Sequence, residues 1–510
     1  MNSRASVVFE RQTEAAVAAY KAGDKKQAKA CCRKILRRDN ANFNALQIMA
    51  MALRAEEHFE AAVDYYLKAA RVAPLDSLVS QMQIDAAGCL EQLGQLGKAL
   101  TLLDPLLADD LTNTAALHRK AVILRSRGEE LEALQYFKQI VTYPPALCSG
   151  AELTRGKAHW HILTAPGLKP TLPDIEAAVA DLDWIEDIQE RENLFFAIYN
   201  GYERVQQYAL AWEYLNKANA LVWKRVAFDL LPLHRSLDRL YQQIEAMPSS
   251  IVEPEHCDCR PVFVAGLPRS GSTLLESVLL EHSGVTSKGE SSFVGEQYRK
   301  WFEPQLKDDD LAGELFSRGI EKYLGIGQTK SQVVIDKTPN NFNFAVALLQ
   351  GFPQMRMLIP MKTPLEACLS LYRQHFLKNA EHGYSYNLAA TVLYYRWHEK
   401  ICSRLQRRFP TRFLIVDYCE LTDAKSGLWA ELFDFCGLQW DPVFLNYFQS
   451  KRRVSTTSAA QVRQAVSTTY RDRAERYGSV IDELSRLLEM SFDELLAHST
   501  INNVTSGHSD

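Results

Sequence analysis

The amino-acid sequence predicts an α + α/β multidomain protein, in which an all-α repeat array precedes a domain built on a central parallel sheet. Three observations lead to this prediction. One spacing of small and large residues recurs through the first half of the chain, short apolar segments alternate with helical segments in the second half, and the first apolar segment runs into a glycine-containing turn. At 510 residues the chain is also too long for one core.

The first half of the chain repeats a small residue followed by larger residues at helical spacing. Ala28, Ala62, Ala99 and Ala133 occupy the small position and are 34, 37 and 34 residues apart, and Ala211 begins a later copy. Three copies have a glycine five residues before the alanine. This pattern resembles the tetratricopeptide repeat, in which two helices meet at the small residue. We expect five helical pairs, the last one offset, stacked into a solenoid.

Changes in composition divide the chain into four parts. We expect the tetratricopeptide-repeat array over residues 1–150, an irregular helical segment with a further repeat-like helix pair over 151–250, an α/β domain over 258–498 and a disordered polar tail over 499–510. The array predicts a concave groove that binds a peptide, a partner protein or a second copy of the chain. The sequence does not rank these three.

Four apolar segments of the second half predict strands: PVFVAG, VVIDK, MRMLIP and RFLIVDY. Each precedes a helical segment, which is typical of a parallel sheet covered on both faces. Ligands of such sheets bind at the carboxyl ends of the strands. The segments GLPRSGST, DKTPNN and PMKTPLEACLS all begin where a predicted strand ends, so together they form the candidate site.

Charge and composition argue against several classes of function. The net charge of −4 gives no general attraction for nucleic acid. The N-terminus lacks the apolar core of a signal peptide, and no run of 18 apolar residues predicts a membrane span. The ten cysteines have no repeated spacing and lie mostly in apolar contexts, so we expect buried thiols in a cytoplasmic protein. The one His-Cys cluster, residues 256–259, lacks a second ligand pair, so no metal site is predicted.

The turn GLPRSGST, residues 266–273, has the context of a phosphate-binding loop, because a strand precedes it and a helix follows it. Backbone amides and the positive end of the helix attract an anion there, and Ser270, Ser272 and Thr273 add hydroxyl donors. Ser272 takes the place of the lysine that reaches the outer phosphates in nucleotide triphosphatases, which disfavours a kinase or a triphosphatase. The planar guanidinium of Arg269 suits a tetrahedral oxyanion such as sulfate.

Four segments resemble the sulfotransferases that use 3′-phosphoadenosine 5′-phosphosulfate (PAPS), in the same order and at similar spacing. They are RPVFVAGLPRSGSTLLESVLLEHSGVTSKGESSF, IDKTPNNF, PLEACLSLYRQHF and TSAAQVRQ, and the match covers about residues 258–498. The similarity is greatest to bacterial sulfotransferases that carry tetratricopeptide repeats, and is more distant to tyrosylprotein sulfotransferases. It implies a P-loop-like α/β sulfotransferase domain with PAPS as co-substrate, adenosine 3′,5′-bisphosphate as product and no metal.

The resemblance also implies roles for individual residues. The loop residues that would hold the phosphosulfate are Gly266, Pro268, Arg269, Ser270, Gly271, Ser272 and Thr273. Arg269 would also stabilise charge in the transfer step, Lys337 would lie at the bridging oxygen, and Ser458 would hydrogen-bond to the same leaving group. Glu290 matches the general base that accepts the proton of the attacking hydroxyl.

Recognition of the 3′-phosphate is where the sequence departs from the family. Relatives have Arg-Asp-Pro at the end of the third predicted strand, whereas this chain reads Met-Lys-Thr-Pro at residues 361–364. Lys362 keeps the charge but loses the bidentate fork of an arginine, and the aspartate that could orient it is missing. Ser370 is retained eight residues beyond Lys362. Further on, Ser455 and Ala474 stand where relatives commonly have Arg and Trp.

The basic run at residues 451–453 has two interpretations: a cationic flap that closes over the nucleotide, with Arg463 among the donor-binding residues, or a solvated charged loop. Two functions also stay open. One is a PAPS-dependent sulfotransferase whose repeats select a hydroxyl acceptor, which we expect to be a peptide or protein. The other is a drifted nucleotide-binding scaffold whose repeats mediate protein–protein interaction. Retention of Glu290 favours the enzyme.

Overall fold

The computed structural model describes residues 2–144, 151–248, 251, 259–302, 309–376, 381–424, 426–449 and 473–505. The chain divides into two compact units, Met1–Ala218 and Asn219–Asp510. None of the helices in the described ranges has the length and apolar character needed to cross a membrane.

The N-terminal unit consists of helices throughout its described residues. They are α1 (Asn2–Lys21), α2 (Lys25–Leu36), α3 (Phe43–Ala55), α4 (Phe59–Val72), α5 (Asp76–Gln92), α6 (Leu96–Asp109), α7 (Thr114–Ser126), α8 (Glu130–Thr142), α9 (Ala151–Thr164), α10 (Leu172–Ala180), α11 (Ile188–Arg204) and the first part of α12 (Tyr208–Val226). Every repeat alanine lies in the second helix of a pair and is fully buried: Ala28, Ala62, Ala99, Ala133 and Ala211. The expected helical pairs are therefore confirmed, with α9 and α10 before the offset one.

The two helices of each pair meet at a residue in the left-handed conformation, five positions before the repeat alanine. Gly23, Gly94 and Gly128 have φ values of +80°, +71° and +85° there. Glu57 and Gln206 occupy the same position in the other two pairs, with φ values of +62° and +66°. The turn therefore has one backbone geometry in all five pairs, although only three of them have the residue that adopts it without strain.

The C-terminal unit is built on a five-stranded parallel sheet. Its strands are β1 (Arg260–Val264), β2 (Val285–Ser287), β3 (Val333–Asp336), β4 (Arg356–Met361) and β5 (Phe413–Asp417), in the order β2-β3-β1-β4-β5. Its helices are the rest of α12, then α13 (Leu230–Ala246), α14 (Ser272–Leu279), α15 (Phe293–Phe302), α16 (Asp309–Leu324), α17 (Ala345–Gly351), α18 (Pro364–Tyr372), α19 (Leu388–Arg408), α20 (Tyr418–Leu421), α21 (Leu428–Cys436), α22 (Arg473–Tyr477), α23 (Asp482–Glu489) and α24 (Phe492–Thr505).

The sheet confirms the four predicted strands and adds β2, which the sequence analysis did not predict. The residues of β1, β3 and β4 are almost all buried, as expected for a sheet covered on both faces. After β1 the chain continues to β2 and β3, which lie on one side of β1 in the strand order. After β4 it continues to β5, which lies toward the opposite edge of the sheet. The crevice between the ends of β1 and β4 is therefore the point at which the strand order reverses, where ligands of open α/β sheets bind.

Two further predictions from the sequence concern the cysteines and the C-terminal residues. Cys89, Cys368 and Cys436 are buried free thiols, as predicted. Helix α24 continues to Thr505 and so includes part of the stretch 499–510 for which the sequence predicts disorder.

Candidate active site

The loop after β1 runs directly into α14, which confirms the predicted strand–loop–helix arrangement. Gly266 and Gly271 have φ values of +143° and +106°. A Cβ atom on Gly271 would lie 2.9 Å from Cδ2 of Tyr418, and one on Gly266 would lie 3.3 Å from the backbone oxygen of Pro360. Both positions therefore require glycine for conformation, and Gly271 requires it for space as well.

Arg269 is held in the left-handed region at φ +68°, although it is not a glycine. Strained backbone of this kind persists only where the surrounding structure enforces it. It is typical of ligand-binding loops. Ser272 and Thr273 begin α14 and are buried, so the positive end of that helix lies behind the loop. Ser270 is also buried, and its hydroxyl has no hydrogen-bond partner among the described residues.

Lys337 and Glu290 come together at the same edge of the sheet. Lys337 follows β3 and Glu290 follows β2, and these two strands pair in parallel, so their carboxyl ends lie side by side. The Lys337 ammonium donates a hydrogen bond to Oε1 of Glu290. Lys337 is fully buried, whereas the Glu290 side chain is 48% exposed. The structure therefore places a buried cation beside a carboxylate that solvent and substrates can reach.

Glu276 is a third member of this group and was missed by the sequence analysis. Its Oε2 atom lies 3.8 Å from Nζ of Lys337, and its Oε1 atom accepts a hydrogen bond of 2.5 Å from the Ser287 hydroxyl. Burial raises the pKa of Glu276, while the charge of Lys337 lowers it. One feature of the sequence could have indicated Glu276: it is four residues after Ser272, so the two residues lie on the same face of α14. Lys337 therefore lies between two carboxylates.

Hydrogen bonds around Asp336 fix the segment that carries Lys337. The buried Asp336 carboxyl accepts from Nδ2 of Asn341 at 2.9 Å, and its Oδ1 lies 2.6 Å from the Thr338 hydroxyl. The backbone amide of Ser291, next to Glu290, donates to that hydroxyl at 3.0 Å. Burial raises the pKa of Asp336 to about 6. These bonds connect the Lys337 and Glu290 segments directly.

Lys362 and Ser370 line a pocket together with the loop after β1. Nζ of Lys362 lies 3.3 Å from the Ser370 hydroxyl and 4.4 Å from the ring centre of Tyr418. The same pocket is bordered by Arg269 and Ser270, so it occupies the crevice between β1 and β4. Burial and then the charge of Arg269 lower the pKa of Lys362 to about 8. Two cations in one pocket would each be stabilised by a bound anion.

His398 also lines this pocket and was missed by the sequence analysis. It lies on α19 and is buried, and neither of its ring nitrogens has a hydrogen-bond partner within the described parts of the chain. Burial lowers the pKa of His398 to about 3. A single histidine in a helical, aromatic-rich segment cannot be distinguished in the sequence from a core residue, so His398 was not predicted as a site residue.

Several residues predicted for the site fall in a stretch that the structure does not describe, whereas Ala474 lies against α18, the helix that carries Ser370. Ser455, Ser458, Arg463 and the basic run at 451–453 lie outside the described residues. Ala474 is buried in α22, and its backbone amide donates to Oε1 of Glu366 at 2.6 Å.

Comparison with known proteins finds one curated relative in sequence, and the solved structures that match include the two described below. An uncharacterised protein of Aquifex aeolicus (strain VF5) is 28% identical over 399 residues, which are 73% of this chain; the match spans about half of that curated relative, 50% of its length. The sulfotransferase domain of the Synechococcus PCC 7002 olefin synthase is 19% identical, with a TM-score of 0.34, covering 51% of this chain and 99% of that domain. A tetratricopeptide repeat protein from Parabacteroides merdae ATCC 43184 is 15% identical, with a TM-score of 0.29, covering 47% and 91%.

The family comparison concerns the α/β unit. Residues 261–442 match the model of the sulfotransferase family, and this range includes the loop after β1, Glu290, Lys337, Lys362 and Ser370. The sheet, the glycine-dependent loop and the match agree with the resemblance found in the sequence. The C-terminal α/β unit of this chain therefore contains a region, residues 261–442, that matches the sulfotransferase family.

Proposed function

We propose that the protein transfers the sulfuryl group of PAPS to a hydroxyl of a peptide or protein, by in-line displacement with Glu290 as general base. The observation that carries the proposal is the Lys337–Glu290 pair beside the loop of Arg269. A buried cation for the leaving oxygen and an accessible carboxylate for the attacking hydroxyl are the two groups that this displacement needs.

The proposed step balances as follows. The acceptor oxygen forms a bond to sulfur while the bond from sulfur to the bridging oxygen breaks, and the hydroxyl proton passes to Glu290. The negative charge that develops on the bridging oxygen is stabilised by Lys337, with Ser458 as the further donor that the family resemblance implies. Adenosine 3′,5′-bisphosphate leaves. Alignment and charge stabilisation account for most of the catalysis in such group transfers, and cationic side chains supply both here.

The phosphate groups of the donor would be held by the elements that border the crevice. The loop amides, Arg269 and the end of α14 suit the 5′-phosphosulfate. Lys362 and Ser370 suit the 3′-phosphate, because they lie at the end of β4 within the same pocket.

The ion pair in the free protein implies an order of events. Lys337 and Glu290 bind each other, so neither serves the reaction until the bridging oxygen and the acceptor hydroxyl replace these partners. Glu276 remains beside Lys337 when Glu290 is released, and so keeps a counterion next to the buried ammonium.

The scaffold function remains the second candidate because of the end of β4. Lys362 replaces the family arginine, and its pKa of about 8 leaves part of the population uncharged near neutral pH. The uncharged fraction lowers the expected affinity for the 3′-phosphate.

Incubation with labelled PAPS and a cell extract tests the proposal. We expect label in peptides or proteins, and loss of that label in the Glu290→Gln variant. Label confined to small molecules would contradict the peptide or protein acceptor. Absence of any transfer by a chain that still binds the bisphosphate would favour the scaffold.

A further inference from the structure

His398 borders the pocket between β1 and β4 and lies next to the loop after β1. A Cβ atom built on Gly266 would lie 3.7 Å from its Nε2 atom, so this nitrogen faces the loop backbone. On another side the ring packs against Phe342, with ring centres 4.8 Å apart and planes perpendicular. The ring position is thus fixed by packing, while its nitrogens have no hydrogen-bond partner among the described residues.

The same pocket contains a second buried polar group without a partner, the Ser270 hydroxyl. Buried polar groups in proteins are nearly always hydrogen-bonded, so each exception needs an explanation. Here two exceptions border one pocket, together with the cations Arg269 and Lys362. Two unused polar groups and two positive charges form a site for an anion with several acceptor oxygens.

We propose that His398 binds the donor nucleotide directly, by donating its Nε2–H to an oxygen of the 3′-phosphate. This inference rests on the proposed function, which supplies the ligand. The 3′-phosphate is favoured over the 5′ group because Lys362 and Ser370 border the same pocket. A neutral imidazole carries one N–H donor at physiological pH, and burial keeps His398 neutral. His398 would thereby supply part of the hydrogen bonding that Lys362 lacks in comparison with a bidentate arginine.

Calorimetry with two ligands, adenosine 3′,5′-bisphosphate and adenosine 5′-monophosphate, tests the inference on the full chain. We expect His398→Leu to weaken bisphosphate binding about tenfold, as for loss of one hydrogen bond to a charged group. Its affinity for the monophosphate should stay within about twofold, because that ligand has no 3′-phosphate. His398→Gln, whose side-chain amide can replace the Nε2–H donor, should restore most of the bisphosphate affinity.

Nuclear magnetic resonance gives a second readout, in which ligand binding is observed on the wild-type chain itself and the variant serves only to assign the signal. With ¹⁵N-labelled histidine, the His398 Nε2 signal, assigned by its loss in His398→Gln, should shift on addition of the bisphosphate and remain unchanged on addition of the monophosphate.

Three results would overturn the inference alone. Unchanged bisphosphate affinity in a folded His398→Leu variant would show that the imidazole makes no contact. Equal weakening for both ligands would show a packing effect or a contact with the 5′ group. An Nε2 signal that does not shift on addition of the bisphosphate would exclude the hydrogen bond. If the wild-type chain binds no bisphosphate at all, the proposed function fails as well, and the inference fails with it.

Discussion

At the scale of single residues, burial and charge act differently on the two lysines of the candidate site. Lys337 is held between Glu290 and Glu276, whereas Lys362 has Arg269 and Ser370 as neighbours. The first lysine has carboxylates beside it, whereas the second is acted on by three arginines, Arg269, Arg473 and Arg373, and by one carboxylate, Glu366. An arriving anion would therefore benefit Lys362 more, because its charge is the less compensated of the two.

Replacement of Glu290 by glutamine should separate catalysis from binding. Glutamine keeps the shape and a hydrogen-bond acceptor for Lys337, but it cannot take up a proton. Transfer from PAPS should fall about a hundredfold or more, while bisphosphate affinity stays within a few-fold. Labelled transfer and calorimetry measure the two quantities. Glu314→Gln, on the exposed face of α16, makes the same charge change away from the site and should alter neither. Loss of donor binding together with the rate would make Glu290 a structural residue.

The lowered pKa of Lys362 predicts a pH dependence of donor binding. Below its pKa of about 8 the side chain is charged and attracts the phosphate, and above it the side chain is neutral. Bisphosphate affinity should therefore fall as the pH rises through this value, while the phosphate, with a pKa near about 6, stays ionised. Lys362→Arg should bind at least as tightly and remain insensitive to pH, because arginine stays charged. A wild-type profile as flat as that of the arginine variant would place the phosphate elsewhere.

Removal of the Lys362 charge should weaken binding of the donor nucleotide at neutral pH. Lys362→Ala should reduce bisphosphate affinity by about 1.5–3 kcal/mol, the range for a charged hydrogen bond. Calorimetry at pH 7 measures it, with Lys300→Ala as a control for loss of one lysine on α15. Unaltered binding would show that other cations hold the 3′-phosphate.

Sequence patterns located the candidate site residues at the strand ends better than the residues that support them. Arg269, Glu290 and Lys337 follow strands or glycines in motifs that resemble those of the family, and Lys362 follows β4 where the sequence departs from the family motif. Glu276 was missed because its role depends on a lysine 61 positions further along the chain, which only the strand pairing brings near.

At the scale of elements, short β2 decides where Glu290 lies. The strand has three residues, too few for the alternation of apolar and polar side chains that identifies a strand in a sequence. Its parallel pairing with β3 places the residues after both strands side by side. The longer, buried strands were predicted because their apolar runs stand out between helical segments.

The repeat turns provide a stability test at this same scale. Glu57 adopts the left-handed conformation that Gly23, Gly94 and Gly128 adopt in the equivalent turns. Glu57→Gly should raise the free energy of unfolding by about 0.5–1 kcal/mol, because it relieves that strain. Glu60→Gly, three residues later within α4, should instead lower it by a similar amount, about 0.5–1 kcal/mol. Urea unfolding measures both, and destabilisation by Glu57→Gly would contradict the strain argument.

At the scale of the whole molecule, the described candidate site residues all belong to the C-terminal unit, and the repeats belong to the N-terminal unit. The proposed function assigns donor binding to the first and acceptor selection to the second. Both units were predictable, because the repeat period and the strand–helix alternation extend over many residues. The acceptor was not, since a hydroxyl on any molecule needs the same base and the same donor geometry.

Removal of the repeats tests this division of roles. A chain of residues 207–510, which keeps α12 whole, should bind the bisphosphate within a few-fold of the full chain, while labelling of protein acceptors falls about tenfold or more. Calorimetry and labelled PAPS measure the two, after circular dichroism has shown a cooperative melt. Unchanged protein labelling would show that the repeats do not select the acceptor.

The proposed function requires the loop after β1 and its neighbours to bind a phosphosulfate donor rather than a nucleoside triphosphate. Calorimetry of the full chain with adenosine 3′,5′-bisphosphate in the presence of a chelator, compared with MgATP, tests it most directly. We predict bisphosphate binding without magnesium and an affinity for MgATP weaker by about tenfold or more, because the loop has Arg269 and no lysine that reaches outer phosphates. Equal or tighter binding of MgATP, or no binding of the bisphosphate, would contradict the account.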